Sequence, residues 1–408
     1  MSGLTMMMMM MSGLLYPQEE EEDNEDETPI DSFETIPDTM LSEILIRLSV
    51  KDLLRCTCVS KSWYNLIKSP SFIKLHLNHR KDIAPKLLLF SSPLHDKLLY
   101  IRTNDEQCME FYKLELPHMI SKFYANWYAV SYSLICVSTI FGSRSLNHGW
   151  DIYLWNPLIQ RCRTLPYLDV SHIFLHRWAA LAFGYVPLIS DFQVVLIVSD
   201  DYGKIPTFFI CVYSLNTNSW KTKTILDDLS VHLHKELDSV SVNGISCWIM
   251  IDRENDVETL VCFDSMNDVL RKVSLPHQNN DSSLHQLLCF DQSVALFHKE
   301  PKLNAFDMWV LKQDSVKNDF FWEKKVSVTL EKHIHNIVIG TRNNRELIFK
   351  SKLHQRGLIT YNPETNKVNE FVRSWKHWST LGIDDLFSTL IPFLVDPFVD
   401  GLVLLDTD

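Results

Sequence analysis

Five stretches of the chain repeat one pattern of residues at a nearly constant distance. Each has an apolar strand that ends in an aromatic residue, a turn containing Asn, Asp or Pro, and a second, more polar strand. This order is typical of a β-hairpin. The aromatic residues are Trp155, Tyr213, Phe263, Trp309 and Tyr361, at steps of 46 to 58 residues. A repeat of this length restricts the possible folds strongly, because each unit must pack against the next.

An apolar segment precedes each of these hairpins, so that every repeat holds two hairpins. Two hairpins per repeat match the four-stranded blade of a β-propeller. The preceding segments are VSYSLICVS, FGYVPLISDFQVVLIV, VNGISCWIMI, LLCFDQSVALFH and NIVIGTRNNRELIF. An earlier unit, KLLLFSSPLHDKLLYIR with MEFYKLELP, is the first of six, and FVDGLVLL is expected to help close the ring. The sequence therefore predicts an all-β propeller with six blades over residues 85–408.

Residues 36–77 have a helical pattern instead, with apolar residues three and four positions apart. The predicted helix starts are Asp38, Ser49, Ser60 and Ser69. Asp38 is expected to cap the first helix, Ser49 forms a capping box with Asp52, and Pro70 suits the first position of a short fourth helix. The chain is thus predicted to be an α+β multidomain protein, with a small all-α bundle over residues 33–80 ahead of the propeller.

The helical block carries more apolar side chains than so small a unit can enclose. Short helices are marginal alone, and a unit of about forty residues has little interior. The surplus indicates burial against a partner or against the rest of the chain, and these residues do not decide between the two. Leu41, Leu53 and Trp63 are expected to keep surface outward for a partner. Cys56 and Cys58 lack a metal-ligand spacing and are interpreted as structural.

The helical block resembles the F-box, the motif by which substrate receptors dock onto the small adaptor subunit of SCF-type ubiquitin ligases. The matching residues are Pro37, Leu41, Ile44-Leu45, Arg47-Leu48, Leu53-Leu54, Val59-Ser60-Lys61-Ser62-Trp63, Leu66-Ile67, Pro70 and Phe72. Two departures are mild: Ile36 replaces the usual leucine, and Ser49 replaces a proline but still caps. The resemblance implies a Skp-type adaptor as partner and, through it, a cullin. The adaptor-binding residues that it implies are Ile36, Pro37, Leu41, Ile44, Leu45, Leu48, Leu53, Leu54, Val59, Lys61, Trp63, Leu66 and Ile67.

The β-rich remainder resembles the kelch-like F-box-associated domain of plant F-box proteins, including S-locus F-box-like and F-box-kelch members. LWNPLIQRCRTLP, FGYVPLISDFQVV, VYSLNTNSW, VNGISCW, FDMWVLKQDSV and ITYNPETNKV match its recurrent phrases in order. One phrase departs from the pattern, because VSYSLICVS lacks the glycines usual there, so its turn is expected to differ. Strict kelch repeats also have paired glycines, and this chain has no Gly-Gly among its eleven glycines.

The net charge of −12 is concentrated near the start of the sequence. Residues 18–28 read QEEEEDNEDET and hold eight negative charges, which leaves −4 for the remainder. Residues 1–30 are predicted to be a disordered acidic tail, since repelling carboxylates cannot bury one another. The remaining charge does not favour nucleic-acid binding. No signal-peptide pattern and no apolar run of roughly 18 residues occurs. Nine scattered cysteines suit a reducing compartment, so a soluble cytoplasmic or nuclear location is expected.

No catalytic or cofactor motif is recognisable, and the sequence predicts neither a cofactor nor a metal site. His232 with His234, and His333 with His335, lack a third ligand. Trp375 and Trp378 lie among basic residues and are weak candidates for substrate binding, although a role in closing a blade is favoured.

The favoured hypothesis is a non-catalytic substrate receptor of a ubiquitin ligase, in which the helical block docks the adaptor and the propeller binds an unidentified target protein. The alternatives are a propeller enzyme, which would need clustered carboxylates or metal ligands at one end of the channel, and an F-box scaffold acting outside a ligase.

Overall fold

The computed structural model describes most of the repeat region and the helical block from residue 37 onward. The described residues are 37–80, 86–90, 98–104, 108–114, 117–118, 127–138, 151–168, 179–200, 207–225, 231–233, 239–277, 285–300, 304–314, 319–329, 334–342, 345–351, 358–372 and 395–404. The chain divides into two compact units. The helical unit takes in Met1–Ile83, Asn156–Arg161 and Val399–Asp408, and the strand unit takes in Ala84–Trp155 and Cys162–Phe398.

The helices of the helical unit start where the sequence places a capping serine, with one exception. They are α1 (Asp38–Leu45), α2 (Val50–Cys56), α3 (Lys61–Lys68) and α4 (Pro70–Arg80). The hydroxyls of Ser49, Ser60 and Ser69 each accept a hydrogen bond of 3.2 Å from a backbone N–H three residues on. The prediction for Asp38 is wrong, because Pro37 occupies the capping position without a side-chain bond and Asp38 lies inside the first turn. Helix α4 is also longer than the short element expected.

The strand unit contains every hairpin that the repeats predict. Its described strands are β1 (Lys86–Phe90), β2 (Leu98–Asn104), β3 (Cys108–Leu114), β4 (Trp127–Ser131), β5 (Leu134–Ser138), β6 (Ile152–Asn156), β7 (Arg161–Thr164), β8 (Ala179–Val186), β9 (Asp191–Asp200), β10 (Thr207–Ser214), β11 (Ser219–Ile225), β12 (Val231–Leu233), β13 (Ser239–Val242), β14 (Ile245–Asp252), β15 (Val257–Asp264), β16 (Val269–Ser274), β17 (His285–Phe290), β18 (Ser293–Glu300), β19 (Ala305–Asp314), β20 (Asp319–Thr329), β21 (Ile334–Arg342), β22 (Glu346–Ser351), β23 (Leu358–Asn362), β24 (Lys367–Val372) and β25 (Val395–Phe398). Residues 152–155 of β6 belong to the strand unit, and its last residue, Asn156, belongs to the helical unit.

The described strands form five hydrogen-bonded sheets, four of which are single blades. Three have the plain orders β4 to β7, β8 to β11 and β17 to β20. In the fourth, β12 and β13 share one edge of β14, where they pair with Met250–Asp252 and Ile245–Trp248, and together they act as one interrupted strand. The fifth sheet has eight strands and consists of β21 to β24 and of β25 with β1 to β3. A single parallel bridge, between Gly340 and Val395, joins these two halves.

The two halves of the eight-stranded sheet count as separate blades, and β12 with β13 counts as one interrupted strand. The described strands then make six four-stranded blades, which agrees with the propeller predicted from the repeats. The innermost strands β4, β8, β13, β17, β21 and β25 contact one another in this order, and β25 contacts β4 to complete the circle. Strand β25 belongs to the first blade, because it pairs antiparallel with β1 from Lys86↔Phe398 to Leu89↔Val395. The closing strand therefore comes from residues 395–398, whereas residues 401–404 of the expected segment FVDGLVLL belong to the helical unit.

Apolar faces of neighbouring blades pack on each other and form the core of the strand unit. Trp248, Phe263 and Phe208 lie in one cluster that joins the β8–β11 blade to the β12–β16 blade. Another cluster, which includes Phe297, Phe306 and Phe349, joins the β17–β20 blade to the β21–β24 blade. Of the repeated aromatic residues, Phe263 belongs to the first cluster and Tyr361 to the second, so these two are buried contacts between blades.

Four outer hairpins share a turn that needs a left-handed residue. It lies five positions after the repeated aromatic residue, at Gln160, Asn218, Asp268 and Asn366, where φ is between 48° and 56°. Asn and Asp tolerate this conformation better than most residues. The hydroxyls of Tyr213 and Tyr361 each donate a 2.9 Å hydrogen bond to the turn asparagine, so the repeated aromatic also fixes its own turn.

The turn that lacks the usual glycines is formed by Tyr132, whose φ is 51°. A bulky residue in this region is strained. The Tyr132 ring packs edge-on against Tyr185, with ring centroids 5.1 Å apart, and also contacts Phe192. We infer that this aromatic packing offsets the backbone cost and replaces the glycine of the related pattern.

Two of the nine scattered cysteines, Cys247 and Cys262, are paired. They lie directly opposite each other on β14 and β15 and form a disulfide. Their separation of 15 residues gives no sign of this pairing, since it is set by the register of the two strands.

Two innermost strands approach each other closely at Gly184 on β8. A Cβ atom added there would overlap the side chain of Ser241 on β13. We expect Gly184→Ala to lower the free energy of unfolding by about 1 to 3 kcal/mol, because the overlap forces the strands apart. Denaturant unfolding measures this change. The double variant Gly184→Ala with Ser241→Gly should regain stability, and a single variant as stable as wild type would contradict the close contact.

Candidate protein-docking surface

The residues predicted to bind the adaptor divide into groups of different exposure. Ile36 lies outside the described residues. The buried ones are Leu41, Leu45, Leu53, Trp63 and Ile67. Leu48, Leu54 and Leu66 are half-buried, and Pro37, Ile44, Val59 and Lys61 are exposed. This corrects the expectation that Leu41, Leu53 and Trp63 keep surface outward: each is at most 8% exposed. Adaptor binding by the set as a whole stays a prediction.

The helical unit nevertheless exposes several large apolar side chains. Met40 is 60% exposed, Val59 is 56% exposed, and Ile44, Tyr64 and Leu75 are each about 40% exposed. Met40 and Ile44 are four residues apart on α1 and therefore share one face. We call Met40, Ile44, Val59 and Tyr64 the exposed apolar set. The sequence analysis missed Met40 and Tyr64, although the spacing of Met40 from Ile44 is a signal that it could have used.

Polar contacts hold the helices around this set. The Ser49 hydroxyl donates to Asp52 Oδ2 at 2.7 Å, and Asp52 pairs with Arg55 at 3.4 Å. Lys68 Nζ donates to the Tyr64 hydroxyl at 3.0 Å, which orients the exposed ring. These contacts are local to each helix and fix the direction of side chains without covering them.

Cys56 has no role as a reactive or metal-binding thiol in this arrangement. It is fully buried, and burial, followed by the nearby Asp52 charge, raises the pKa of its thiol to about 11. A thiol with so high a pKa stays protonated at neutral pH and is a poor nucleophile and metal ligand. Within the described ranges, no group of three or more His, Cys, Asp or Glu side chains is arranged to hold a metal ion.

Helix α4 is tied back to the turn after α1 through one carbonyl oxygen. Arg80 Nη2 donates to Leu48 O at 2.5 Å, and the His76 ring lies 3.4 Å from the same oxygen. His76 is fully buried. Burial, and then the Arg80 charge, lowers the pKa of His76 to about 4, against an opposing effect of Asp400. The imidazole is therefore neutral at neutral pH.

The helical unit also includes two segments from distant parts of the sequence. The Asn156 side-chain amide donates hydrogen bonds of 2.9 Å to the carbonyl oxygens of Gly401 and Val403. Its Oδ1 accepts a 3.1 Å bond from Leu158 N. Residues 401–404 are buried. The repeat analysis assigned residues 85–408 to the propeller, and nothing in the sequence pattern indicates that 156–161 and 399–404 group with the helices.

The strand unit holds a polar cluster that the sequence analysis missed. His285 on β17 contacts Glu258 Oε2 on β15 through Nδ1, and its Nε2 lies 3.1 Å from His298 Nδ1 on β18. His277, after β16, stacks on His298 with centroids 4.4 Å apart, and its Nε2 is 3.5 Å from Asp307 Oδ2. We call these five residues the histidine cluster. Only the packing of two blades brings them together.

His298 is the member of the histidine cluster with the most perturbed titration. It is 6% exposed. Burial, followed by the neighbouring His285 and His277, lowers the pKa of its imidazole to about 4. The cluster therefore keeps His298 uncharged at neutral pH.

Trp375 and Trp378, the candidates for target binding, and the two histidine pairs considered as metal ligands fall outside what the structure fully describes. Trp375 and Trp378 are not among the described residues, nor are His234 and His333, and the side chains of His232 and His335 are not described either. Among the described propeller residues, Leu188 is the most exposed large apolar side chain, at 80%. A search of the described helices finds none with the length and apolar character needed to cross a membrane.

Comparison with known proteins gives two family matches, one to the helical part of the chain and one to the β-rich part. The F-box domain matches residues 33–75, and the F-box associated beta propeller domain matches residues 75–376. An F-box/kelch-repeat protein of Arabidopsis thaliana is 24% identical over 261 residues, covering 62% of this chain and 69% of the relative. A putative F-box protein of the same plant is 22% identical over 403 residues, covering 89% and 88%.

Similarity to solved structures is weak. The six-bladed fungal lectin of Aleuria aurantia covers 66% of this chain and 84% of its own, with 7% identity and a TM-score of 0.35. The family matches, together with capped short helices followed by a ring of four-stranded blades, identify the chain as a member of the F-box proteins that carry an F-box associated beta propeller domain.

Proposed function

We propose that this protein is the substrate-recognition subunit of an SCF-type ubiquitin ligase. The F-box unit docks a Skp-type adaptor and, through it, a cullin, while the propeller binds a target protein. The observation that carries the proposal is the exposed apolar set on a helical unit that matches the F-box. In this role the chain makes and breaks no bond itself.

Burial of the exposed apolar set supplies the driving force for docking in this proposal. Covering one large aliphatic side chain is worth roughly 1.5 to 3 kcal/mol. Ile44 and Val59 are aliphatic and exposed, so their removal from water on binding contributes at this level. The buried Leu53 and Ile67 act indirectly, because they hold the helices that present the exposed residues.

The contribution to ubiquitin transfer is proximity. A target held by the propeller and a ligase held by the F-box become parts of one complex, so their encounter is effectively intramolecular. This requires two binding surfaces and no catalytic group on this chain.

The test replaces exposed residues, because buried ones would confuse binding with folding. We expect the double variant Ile44→Asp with Val59→Asp to weaken binding of a purified Skp-type adaptor at least about 100-fold, since each charge loses its hydration at the interface. Isothermal titration calorimetry measures the affinity, and circular dichroism checks that both variants are folded. Co-purification of a cullin should be lost in parallel.

The matched control is Leu188→Asp, which adds the same charge to an exposed leucine of the propeller. It should bind the adaptor as wild type does. Wild-type affinity in the Ile44 and Val59 double variant would refute the docking assignment. A change such as Leu41→Asp with Trp63→Ala is a poorer test, because both side chains are buried and their loss would unfold the helices.

A further inference from the structure

Residues 399–404, which we call the 399–404 segment, follow β25 directly and are unusually well buried for a stretch without helix or strand. Leu402, Val403 and Leu404 are each at most 6% exposed. Leu404 has a φ of 75°, a conformation that a bulky residue keeps only when its surroundings hold it. Together these features indicate that the surroundings fix the backbone conformation of the segment.

Asn156 holds this segment with both of its functional groups in use. Its amide nitrogen donates to Gly401 O and Val403 O at 2.9 Å each, and its Oδ1 accepts from Leu158 N. An asparagine side chain offers two donor hydrogens and one acceptor oxygen, which fits this set of three partners. The side chain is fully buried, so an unfilled partner would be costly.

The other blades show which part of this role is special to Asn156. The residue after the repeated aromatic is Asp264 in one blade and Asn362 in another, and both accept backbone N–H bonds through Oδ1 within their own turns. Asp264 shows that a carboxylate satisfies the turn. The side-chain N–H groups of Asn156 therefore bond the 399–404 segment and are not needed for the turn.

The 399–404 segment shares its compact unit with helix α4. In the same direction, the Asp400 carboxylate partly opposes the lowering of the His76 pKa. The segment and all four helices fall in the same compact unit. A helical block of about 44 residues has little interior of its own, and the buried Leu402 and Leu404 belong to the same compact unit.

We propose that the 399–404 segment, held by Asn156, is an integral part of the F-box unit and that adaptor affinity depends on it. The effect on adaptor affinity rests on the proposed function, whereas the place of the segment in the fold of the unit does not. Asn156 is then a positioning residue: it contacts no adaptor and acts by keeping the helices in the docking conformation.

The test uses the full chain with Asn156→Asp, which keeps the turn acceptor but turns the donor into an oxygen facing two carbonyl oxygens. The matched control is Asn362→Asp, the same change in an equivalent turn of another blade. We expect Asn156→Asp to speed amide hydrogen exchange in α4 at least about tenfold and to weaken adaptor binding at least about tenfold, as a lost buried hydrogen-bond pair predicts. The control should change neither.

A second comparison removes residues instead of changing them. A chain ending at Phe398 should show the same two effects, whereas a chain ending at Leu404 should behave as wild type. Wild-type exchange in Asn156→Asp and in the chain ending at Phe398 would overturn the proposal, and so would faster exchange with unchanged affinity. Failure of the wild-type protein to bind any Skp-type adaptor would refute the proposed function instead, and hydrogen exchange alone would then decide whether the segment belongs to the F-box fold.

Discussion

A chain that ends at residue 394 is expected to lose the folded propeller. It lacks β25, the strand that pairs with β1 from Lys86 to Leu89 and contacts β4 and β21 on either side of it. Loss of this four-residue ladder and of the strand's contacts with β4 and β21 should lower the free energy of unfolding by about 3 to 5 kcal/mol. It also leaves β1 as an unpaired edge that favours aggregation.

Denaturant unfolding and size-exclusion chromatography measure these effects. The control is the chain that ends at Phe398, which keeps β25 and lacks only the residues of the helical unit that follow it. The difference between the two truncations isolates the closing strand. Equal unfolding midpoints and equal monomer fractions would show that β25 does not close the ring.

The second large effect expected is a loss of stability in mild acid through the histidine cluster. The pKa of His298 is lowered from 6.5 to about 4 in the folded protein. Below pH 6.5 the His298 imidazole binds a proton in the unfolded chain but not in the folded chain. The free energy of unfolding therefore falls as the pH drops from 6.5 to 4. At neutral pH and above, both states are unprotonated and the effect vanishes. The full loss at pH 4 amounts to about 2 to 3 kcal/mol.

The surroundings of His298 explain why its imidazole stays unprotonated in the folded protein. His285 and His277 would add like charges next to it, and Lys324 on β20 adds another, while Asp307 acts in the opposite direction. Burial is the largest cause. The net balance therefore favours the neutral imidazole.

His298→Asn tests this titration, because asparagine places a hydrogen-bonding atom near the Nδ1 position but binds no proton in this range. We expect the unfolding free energy of the variant to depend less steeply on pH between 6.5 and 4, by one proton. The slope that remains includes His76, whose pKa is lowered to about 4 in the helical unit. An unchanged slope in His298→Asn would contradict the titration.

The sequence was sufficient for the parts of the fold that depend on local patterns. The hairpins around Trp155, Tyr213 and Tyr361 are where strand–turn–strand patterning places them, since alternation and turn residues act over short distances. The serine caps at Ser49 and Ser60 were predicted for the same reason. Asp38 was misplaced by one residue because Pro37 occupies the position before the helix, and sequence signals rarely resolve a helix end so finely.

What the sequence could not give depends on contacts between distant residues. Helical periodicity identifies Leu41, Ile44 and Leu53 as apolar but does not say which of them face inward. The histidine cluster is spread over four strands and a loop of two blades, and the disulfide depends on strand register. The bond from Asn156 to Gly401 spans 245 residues, a distance at which no pattern carries information.

Closure of the first blade by β25 has a consequence for protein synthesis. Lys86 and Phe398 are pairing partners, so strand β1 leaves the ribosome about 300 residues before the segment that completes its blade. At roughly 5 to 20 residues per second, the nascent chain carries an open sheet edge for at least about 15 seconds. Products of premature termination before residue 395 keep that open edge permanently, and an unpaired edge strand is a template for aggregation.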